Sequence, residues 1–269
     1  MLLAIDVGNT HTVVGLYDLA EANTTTPEAG LLDHWRVATN AQKTADEHAL
    51  TIQEFLGFHG FSFTEQVMGA AISSVVPSVT MALREMVERY FGFRPVVVGP
   101  GVRSGMPILY ENPREVGADR IVNAVAAYDL YGGPAIVVDF GTATTFDAIS
   151  AKGEYLGGTI VPGVEISLEA LFQRASALRR VELVEPRNVV GRSTIESIQS
   201  GVLFGTAAML DGLVERIELE IGESTVVATG GLAVLIAPLV RRVDHHEPWL
   251  TLHGLRLVHS LNVDDQERS

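Results

Sequence analysis

Apolar residues recur along the chain with two different periods. Short runs rich in Val, Ile and Ala predict buried strands, and apolar residues spaced three or four positions apart predict amphipathic helices. The predicted strands are residues 1–5, 10–18, 67–76, 95–99 and 225–231, with a strand, a turn and a second strand over 135–150. The predicted helices are residues 44–60, 79–92, 118–133, 164–180 and 193–221. This alternation predicts an α/β protein whose helices cover its sheets.

Local signals mark the ends of several elements. Two predicted helices open on capping boxes, formed by Thr44 with Glu47 and by Ser193 with Glu196. Residues 19–33 are rich in turn formers, and we expect them to form a surface excursion. Residues 157–163 contain three glycines and are predicted to form a loop that lines a pocket or only turns the chain.

One motif occurs twice. Ile5–Thr12 has the sequence IDVGNTHT and Val138–Thr145 has the sequence VDFGTATT, so each copy is an apolar strand, the pattern D-x-G, an Asn or Thr, and a second strand. The copies are about 130 residues apart, close to the size of one domain. A duplicated domain with two facing phosphate loops explains the match most economically. Two unrelated hairpin turns are the alternative, but they would not require matching polarity around each turn.

The first copy of the motif has the composition of a phosphate-binding turn. Asp6 ends a buried strand, and Gly8 lets the backbone approach a ligand so that the following amides can bind phosphate oxygens. Asn9, Thr10 and Thr12 add side-chain donors, and a carboxylate beside such a turn can hold Mg²⁺ directly or through water. The alternative is a hairpin turn in which Asp6 and Asn9 only satisfy the backbone.

The second copy offers a carboxylate surrounded by small polar residues. Asp139 is followed by Gly141, Thr142, Thr144 and Thr145, a set that suits a phosphate loop or a cation site that needs oxygen ligands. The alternative is a tight turn whose threonines are favoured by the strand that follows.

A third candidate site opens the predicted helix at 118. Asp119 alone is more often a helix cap than a base, and Arg120 alone is more often a surface charge. Side by side they place a proton acceptor next to a residue that can bind a carboxylate with two hydrogen bonds. The pair therefore suits a substrate that has both a hydroxyl and an acid group.

Composition and charge exclude several classes of protein. The 269 residues contain no cysteine, which excludes disulfides, thiolate zinc sites, iron–sulfur clusters and a Cys nucleophile. The net charge of −14 argues against a nucleic-acid binder with a broad basic surface. The apolar start has no basic leader, and the longest apolar run, residues 230–240, is too short to span a bilayer. We therefore expect a cytoplasmic protein without a membrane segment.

Taken together, these motifs resemble those of the type III pantothenate kinase family. The matching blocks, in chain order, are IDVGNTHTVVGLYD, TADE, SSVVPSV, YENPREVGADRIVNAVAAY, VDFGTATTFDAI, GGTIVPG, STIESIQSG and ATGGLA. They extend over residues 1–258, and GADR and DFGTATT are the most specific. One departure is Ser193, where the family usually has Asn before the threonine.

The resemblance implies an α/β fold of two duplicated actin-like, ribonuclease H-like domains, residues 1–115 and 116–269, with the active site in the cleft between them. It also implies ATP-dependent phosphorylation of pantothenate to 4'-phosphopantothenate, the first step of coenzyme A biosynthesis. The implied cofactors are ATP, Mg²⁺ and a monovalent cation, K⁺ or NH₄⁺. The implied assembly is a homodimer that binds neither nucleic acid nor membrane.

Particular residues take their expected roles from the same resemblance. Asp119 is the implied proton acceptor for the pantothenate hydroxyl, Asp139 the implied ligand of the monovalent cation, and Asp6 the implied support for Mg²⁺. The residues implied to contact ATP are Asp6, Val7, Gly8, Asn9, Thr10, His11, Thr12, Val13 and Thr142. The residues implied to contact pantothenate are Tyr110, Gly117, Ala118, Asp119, Arg120 and Thr194.

Two other functions fit the same motifs. A kinase or phosphatase on this scaffold could act on a sugar, another hydroxy acid or polyphosphate, and a weakly active or inactive relative could act by binding alone as a regulator. Such a regulator could dispense with Asp119 and the cation site. The chain retains Asp6, Asp119, Arg120 and Asp139, and this retention favours an enzyme.

Overall fold

The structure is a computed structural model that describes residues 1–263, apart from 22–25, 62–65, 176–177 and 179. Part of the predicted excursion at 19–33 and part of the helix predicted over 164–180 therefore lie outside the described residues. The first half of the chain forms β1 (Leu2–Val7), β2 (His11–Tyr17), β3 (Leu31–Ala38), α1 (Ala45–Phe58), β4 (Gly69–Ser74), α2 (Pro77–Tyr90), β5 (Val96–Val97), a 3₁₀ turn at Pro113–Glu115 and α3 (Ala118–Tyr131).

The second half repeats this order of elements, except that two helices stand where the first half has α1. It forms β6 (Ala135–Phe140), β7 (Ala143–Ile149), β8 (Tyr155–Pro162), α4 (Val164–Arg174), α5 (Thr194–Ile221), β9 (Thr225–Thr229), α6 (Ala233–Ile236), a 3₁₀ turn at Ala237–Leu239, β10 (His245–His246) and α7 (Leu250–Val263). The strands order as β3-β2-β1-β4-β5 in one sheet and β8-β7-β6-β9-β10 in the other. In both sheets the first three strands are antiparallel and the last two run parallel to the central strand.

The repeat extends to the residue register. Asp6 faces Val13 and Ser73 across its two neighbouring strands, and Asp139 faces Thr145 and Thr229 in the same way. The antiparallel ladder of each sheet also shifts register at one matching place, between Leu16 and Tyr17 on β2 and between Ala148 and Ile149 on β7. The duplication predicted from the sequence is therefore confirmed.

Alternation along the strands divides the first sheet into two apolar faces. Leu3, Ile5 and Val7 pack with α1 and α2, as do Ala70 and Ile72 of β4. The opposite face carries Leu2, Ala4 and Ala71, which pack with Val122 of α3 and with Leu252, Leu255 and Val258 of α7. Because side chains alternate along a strand, Asp6 and Ser73 belong to this second face.

The second sheet builds its main core with α4, α5 and α6. Ile136, Val138 and Phe140 of β6 pack against these helices. Among the described residues, α5 is the one helix long and apolar enough to cross a membrane by length and composition alone. Its buried residues, which include Leu203, Ala207 and Leu210, pack in this core, and a core helix passes the same test. Core packing therefore accounts for the buried part of α5, which is 39% of its apolar window.

The packing divides the chain into two compact units, Met1–Leu130 with Trp249–Ser269, and Tyr131–Pro248. The domain boundary predicted after residue 115 does not coincide with this division. Helix α3 follows that boundary and α7 is the last helix in the described part of the chain, but both pack on the first sheet through the cluster that contains Leu2 and Ala4.

Most predicted elements are present, and three corrections are needed. Residues 157–163 were predicted as a loop, but most of them belong to β8, where the ladder to β7 holds the glycine-containing segment in a strand. Residues 31–33 of the predicted excursion belong to β3. The capping box at Thr44 and Glu47 is present in full. At the start of α5, Ser193 caps the Glu196 amide, but the Glu196 carboxylate accepts from the Arg192 amide, so that box is incomplete.

Candidate active site

The turn between β1 and β2 is closed by hydrogen bonds from within the turn and from the residue after β3. The Gly8 amide donates to the His11 carbonyl at 3.0 Å, and the Thr39 amide donates to the Thr10 carbonyl at 2.9 Å. The Thr39 hydroxyl also donates to the Gly8 carbonyl at 2.7 Å. These bonds fix the loop and leave the side chains of Asn9, Thr10 and His11 exposed.

The remaining residues of this segment are turned inward. Val7 is 1% exposed and packs in the core with α1 and α2. Thr12 is 5% exposed, and its hydroxyl lies 2.9 Å from that of Thr39. Val13 packs against the opposite face of the sheet. Of the eight residues expected to contact ATP here, these three can therefore offer backbone groups but not free side chains.

The start of α3 places Asp119 beside the same face of the first sheet as Asp6. Ala118 and Val122 pack on that face, so the first turn of α3 lies over it. The Asp119 Oδ1 accepts from the Arg120 amide at 2.9 Å. Burial raises the pKa of the Asp119 carboxyl above its usual range, and the Arg120 amide and charge oppose this shift without cancelling it. A carboxylate with a raised pKa is a stronger base than an ordinary aspartate.

Gly117 lies next to this carboxylate. A Cβ at residue 117 would meet the Asp119 Oδ1, so the Asp119 side chain would have to shift. The preceding loop is ordered by Asn112, whose side chain accepts from the Arg114 amide at 3.3 Å and donates to Glu115 at 2.8 Å. These bonds order the backbone that leads into α3.

Two further residues expected to bind substrate flank this helix start. Arg120 is 9% exposed, and its guanidinium is therefore largely withdrawn from water. Tyr110 is 36% exposed and precedes the loop that leads to α3. A buried guanidinium binds a carboxylate more strongly than an exposed one because water competes less.

The turn between β6 and β7 is the counterpart of the first turn but is one residue shorter. The Gly141 amide donates to the Ala143 carbonyl at 3.1 Å, and the Gly163 amide donates to the Thr142 carbonyl at 3.1 Å. Gly163 occupies the place that Thr39 has in the first unit. A Cβ there would collide with the carbonyl oxygens of Gly141 and Thr142. The Thr142 side chain is exposed, as expected for an ATP contact.

Asp139 is enclosed on its other side by Gly230. This glycine has φ +93°, in the left-handed region, and a Cβ at residue 230 would collide with the Asp139 Oδ1. Asp139 itself is half-buried, and Thr144 and Thr229 beside it are 1% and 2% exposed. The second turn thus surrounds a carboxylate with glycines and hydroxyl-bearing residues.

Thr194, another expected substrate contact, is the first residue of α5. It is exposed, and Ser193 before it is the N-cap, accepting from the Glu196 amide at 3.2 Å. Serine and asparagine are equally good N-caps, so the departure at Ser193 leaves the start of this helix intact.

The donor atoms around Asp6 and Asp139 are oxygens, the ligands that Mg²⁺ and K⁺ prefer. Among the described residues, no group of three or more His, Asp or Glu side chains lies close enough to hold a metal ion. A kinase magnesium ion needs only one or two carboxylates, because phosphates and water supply the other ligands. The single carboxylates Asp6 and Asp139 therefore fit a cation that is shared with nucleotide phosphates.

The sequence marked Gly163, in the glycine-containing segment 157–163, and Gly230, in the ATGGLA block, but it did not predict their contacts with the turns, and it gave no signal for Thr39. Thr39 and Gly163 close the two turns, and Gly230 lies against Asp139. Extending the internal repeat from the two D-x-G motifs to the strands that follow would align Thr39 with Gly163.

Solved structures with the same fold define the class of protein. An activator of the 2-hydroxyisocaproyl-CoA dehydratase from Clostridium difficile, with bound ADPNP, aligns with a TM-score of 0.60 over 99% of this chain and 97% of its own, at 11% identity. A ROK hexokinase from Thermus thermophilus aligns with a TM-score of 0.54 over 97% and 99%, at 14% identity. The chain therefore has the duplicated actin-like α/β fold.

The family follows from the sequence comparison. The family model for type III pantothenate kinase matches residues 2–216. The type III pantothenate kinase of Streptomyces griseus is 53% identical over 271 residues, which cover 98% of this chain and 99% of that protein. This chain belongs to the type III pantothenate kinase family, and it is a kinase, an ATP-using transferase that acts on a hydroxyl acceptor.

Proposed function

We propose that this protein phosphorylates pantothenate with ATP to give 4'-phosphopantothenate, the first step of coenzyme A biosynthesis. The observation that carries the proposal is the start of α3, where the half-buried Asp119 carboxylate of raised pKa lies beside Gly117 and next to a buried Arg120. Pantothenate has the two groups that this pair can bind, a primary hydroxyl and a carboxylate.

Asp119 is the proposed proton acceptor. Phosphoryl transfer depends mainly on alignment and charge neutralisation, and the base accepts the hydroxyl proton as transfer proceeds. The Asp119 Oδ1 accepts from the Arg120 amide, so Oδ2 would be the oxygen that accepts the proton. Arg120 would bind the substrate carboxylate with two hydrogen bonds. The further proposed substrate contacts are Tyr110, Gly117, Ala118 and Thr194.

The ATP phosphates would be held by the two turns. In the segment from Asp6 to Val13, the exposed side chains of Asn9, Thr10 and His11 and the backbone at Gly8 are the groups best placed to bind them. Val7, Thr12 and Val13 would contribute only through the backbone. Thr142 would contact ATP from the second turn. A bound Mg²⁺ would neutralise phosphate charge, with Asp6 as its protein support.

Asp139 is the proposed ligand of a monovalent cation, K⁺ or NH₄⁺. In the first turn the Thr39 hydroxyl donates a hydrogen bond to the Gly8 carbonyl. Gly163 has the matching place in the second turn, and it has no hydroxyl that could donate to the Gly141 carbonyl. A carboxylate next to backbone carbonyl oxygens suits a large monovalent ion. A cytoplasmic homodimer is the further proposal that the family resemblance supports.

A coupled assay of ADP release tests the function directly. We expect ADP release that requires both pantothenate and Mg²⁺, and a product that carries one added phosphate by mass spectrometry. A panel of other hydroxy acids, sugars and polyphosphate tests the alternative substrates. A protein that binds pantothenate but releases no ADP would be a regulator, and the kinase proposal would then be wrong.

A further inference from the structure

Ser73 carries a fully buried hydroxyl near the carboxyl end of β4. The residue is 0% exposed, and within the part of the chain that the structure describes its Oγ has no hydrogen-bond partner. Native proteins pair nearly all buried polar groups, because an unpaired one loses its bonds to water without replacement. We therefore expect the Ser73 hydroxyl to form a hydrogen bond in another state of the protein.

The register of the sheet identifies that partner. Ser73 lies directly opposite Asp6 across the parallel pair of β1 and β4. Both belong to the face of the sheet that α3 covers, since Ala4 and Ala71 two residues before them pack there. In-register side chains on neighbouring strands lie about 5 Å apart at Cβ, a separation that one hydrogen bond between a serine and an aspartate spans.

The adjacent residue shows that an unpaired hydroxyl is not a general property of this strand end. Ser74 belongs to the opposite face, and its Oγ accepts from the Val76 amide at 3.1 Å and donates to the Val76 carbonyl at 3.2 Å. Ser74 is therefore a satisfied, structural serine. It provides a matched control on the same strand.

The second unit repeats the arrangement. Thr229 lies opposite Asp139 across the parallel pair of β6 and β9, in the register that Ser73 has with Asp6, and it is 2% exposed. A buried hydroxyl-bearing residue thus stands beside the acidic residue in both copies of the repeat, although serine replaces threonine and the surrounding sequences differ.

We infer that Ser73 is a positioning residue for Asp6. Its hydroxyl donates to one oxygen of the Asp6 carboxylate when Mg²⁺ and nucleotide are bound, and this leaves the other oxygen for the cation or its water. The inference rests on the proposed function, because it requires Asp6 to support Mg²⁺ beside the phosphates. It predicts that Ser73 affects binding of the magnesium complex of the nucleotide and not folding.

Ser73→Ala and Ser74→Ala in the full chain separate these roles. Calorimetric titration with ADP, in Mg²⁺ and in EDTA, gives the factor by which Mg²⁺ tightens nucleotide binding. We expect Ser73→Ala to reduce this factor about tenfold, the effect of losing a hydrogen bond to a charged group. We expect Ser74→Ala to leave it unchanged. Urea unfolding without ligand should show Ser73→Ala as stable as wild type and Ser74→Ala less stable.

Each outcome decides the inference. An unchanged Mg²⁺ factor in Ser73→Ala, or equal loss with and without Mg²⁺, overturns it, as does a wild type whose ADP binding ignores Mg²⁺. A loss of stability in Ser73→Ala with a normal Mg²⁺ factor would make Ser73 structural. Because the titrations contain no acceptor, a wild type that fails to phosphorylate pantothenate but shows the Ser73 effect would contradict the proposed function alone.

Discussion

The Asp119 carboxylate experiences opposing influences at the start of α3. The helix terminus and the Arg120 amide favour the charged form, as at many helix starts, whereas burial favours the neutral form. Burial prevails, so the pKa of Asp119 lies above the ordinary aspartate range. A raised pKa would not improve a carboxyl that served only as a helix cap, but it makes the carboxylate a stronger base.

Replacing Asp119 by Asn is the direct test of the base. Asparagine keeps an oxygen that can accept from the Arg120 amide, so we expect the fold and the thermal midpoint to be retained. We expect kcat to fall by about 10²–10⁴, the usual contribution of a general base. Steady-state kinetics with pantothenate, alongside a thermal melt, measures both quantities.

The pH profile supplies the control for that variant. The base must be ionised to accept a proton, so the raised pKa of Asp119 should move the acidic limb of kcat/KM above the pH of an ordinary aspartate. The residual activity of Asp119→Asn should lack that limb. Near-normal turnover of the variant would instead assign Asp119 to helix capping.

The proposed role of Arg120, unlike that of Asp119, depends on the shape of the side chain as well as on its charge. The residue is 9% exposed, and its guanidinium can bind a carboxylate with two parallel hydrogen bonds, which a lysine cannot reproduce. We expect Arg120→Lys to raise the KM for pantothenate about 10- to 100-fold, with a much smaller change in the KM for ATP. Equal effects on the two substrates would show that Arg120 supports the fold around α3 and does not bind pantothenate.

At the scale of elements, the second turn depends on the glycine between β8 and α4. Gly163 has ordinary angles, φ −64° and ψ 160°, that alanine can adopt, so the cost of a Cβ there comes from its collision with two backbone carbonyls. Backbone cannot move aside as a flexible side chain can. We expect Gly163→Ala to lower the free energy of unfolding by about 1–3 kcal/mol.

A second glycine serves as the control for that change. Gly57 lies in α1, and a Cβ there has no heavy atom within 4 Å among the described residues. We expect Gly57→Ala to raise the free energy of unfolding by about 0.5–1 kcal/mol. Urea denaturation of both variants measures the two effects. A neutral Gly163→Ala would mean that the turn relaxes easily and that its geometry does not constrain Asp139.

The sequence predicted the elements whose own pattern is strong. The capping box at Thr44 and the alternation of apolar residues in β1 and β6 are local signals, and the D-x-G repeat exposed the duplication. β8 was missed because its glycines weaken the strand pattern, and only the partner strand β7 holds it in place. The contacts of Thr39 and Gly230 were not predicted for the same reason, since they join residues that are distant in sequence.

At the scale of the whole molecule, the two copies of the repeat are alike in topology but differ in chemistry. The first turn is longer and is closed by the Thr39 hydroxyl, and the second is shorter and is closed by Gly163. A duplicated scaffold thus offers two carboxylates, Asp6 and Asp139, in matching positions with different oxygen atoms around them. This difference supports the proposal that the two carboxylates bind different cations.

The net charge of −14 bears on the cation proposed at Asp139, because charge from the whole protein adds to the charge of that one site. Without a counter-ion, Asp139 would repel nucleotide phosphates, and the surrounding negative charge would add to that repulsion. We therefore expect activity to depend steeply on K⁺ or NH₄⁺, with Na⁺ a poor substitute because it is smaller and holds its water more tightly. Titration of KCl against NaCl at constant ionic strength removes general screening from the comparison. Asp139→Asn should lose the ion response and most activity while its thermal midpoint changes little. Identical activity in the two salts would contradict the monovalent site and leave Asp139 as a ligand of Mg²⁺ or a part of the turn.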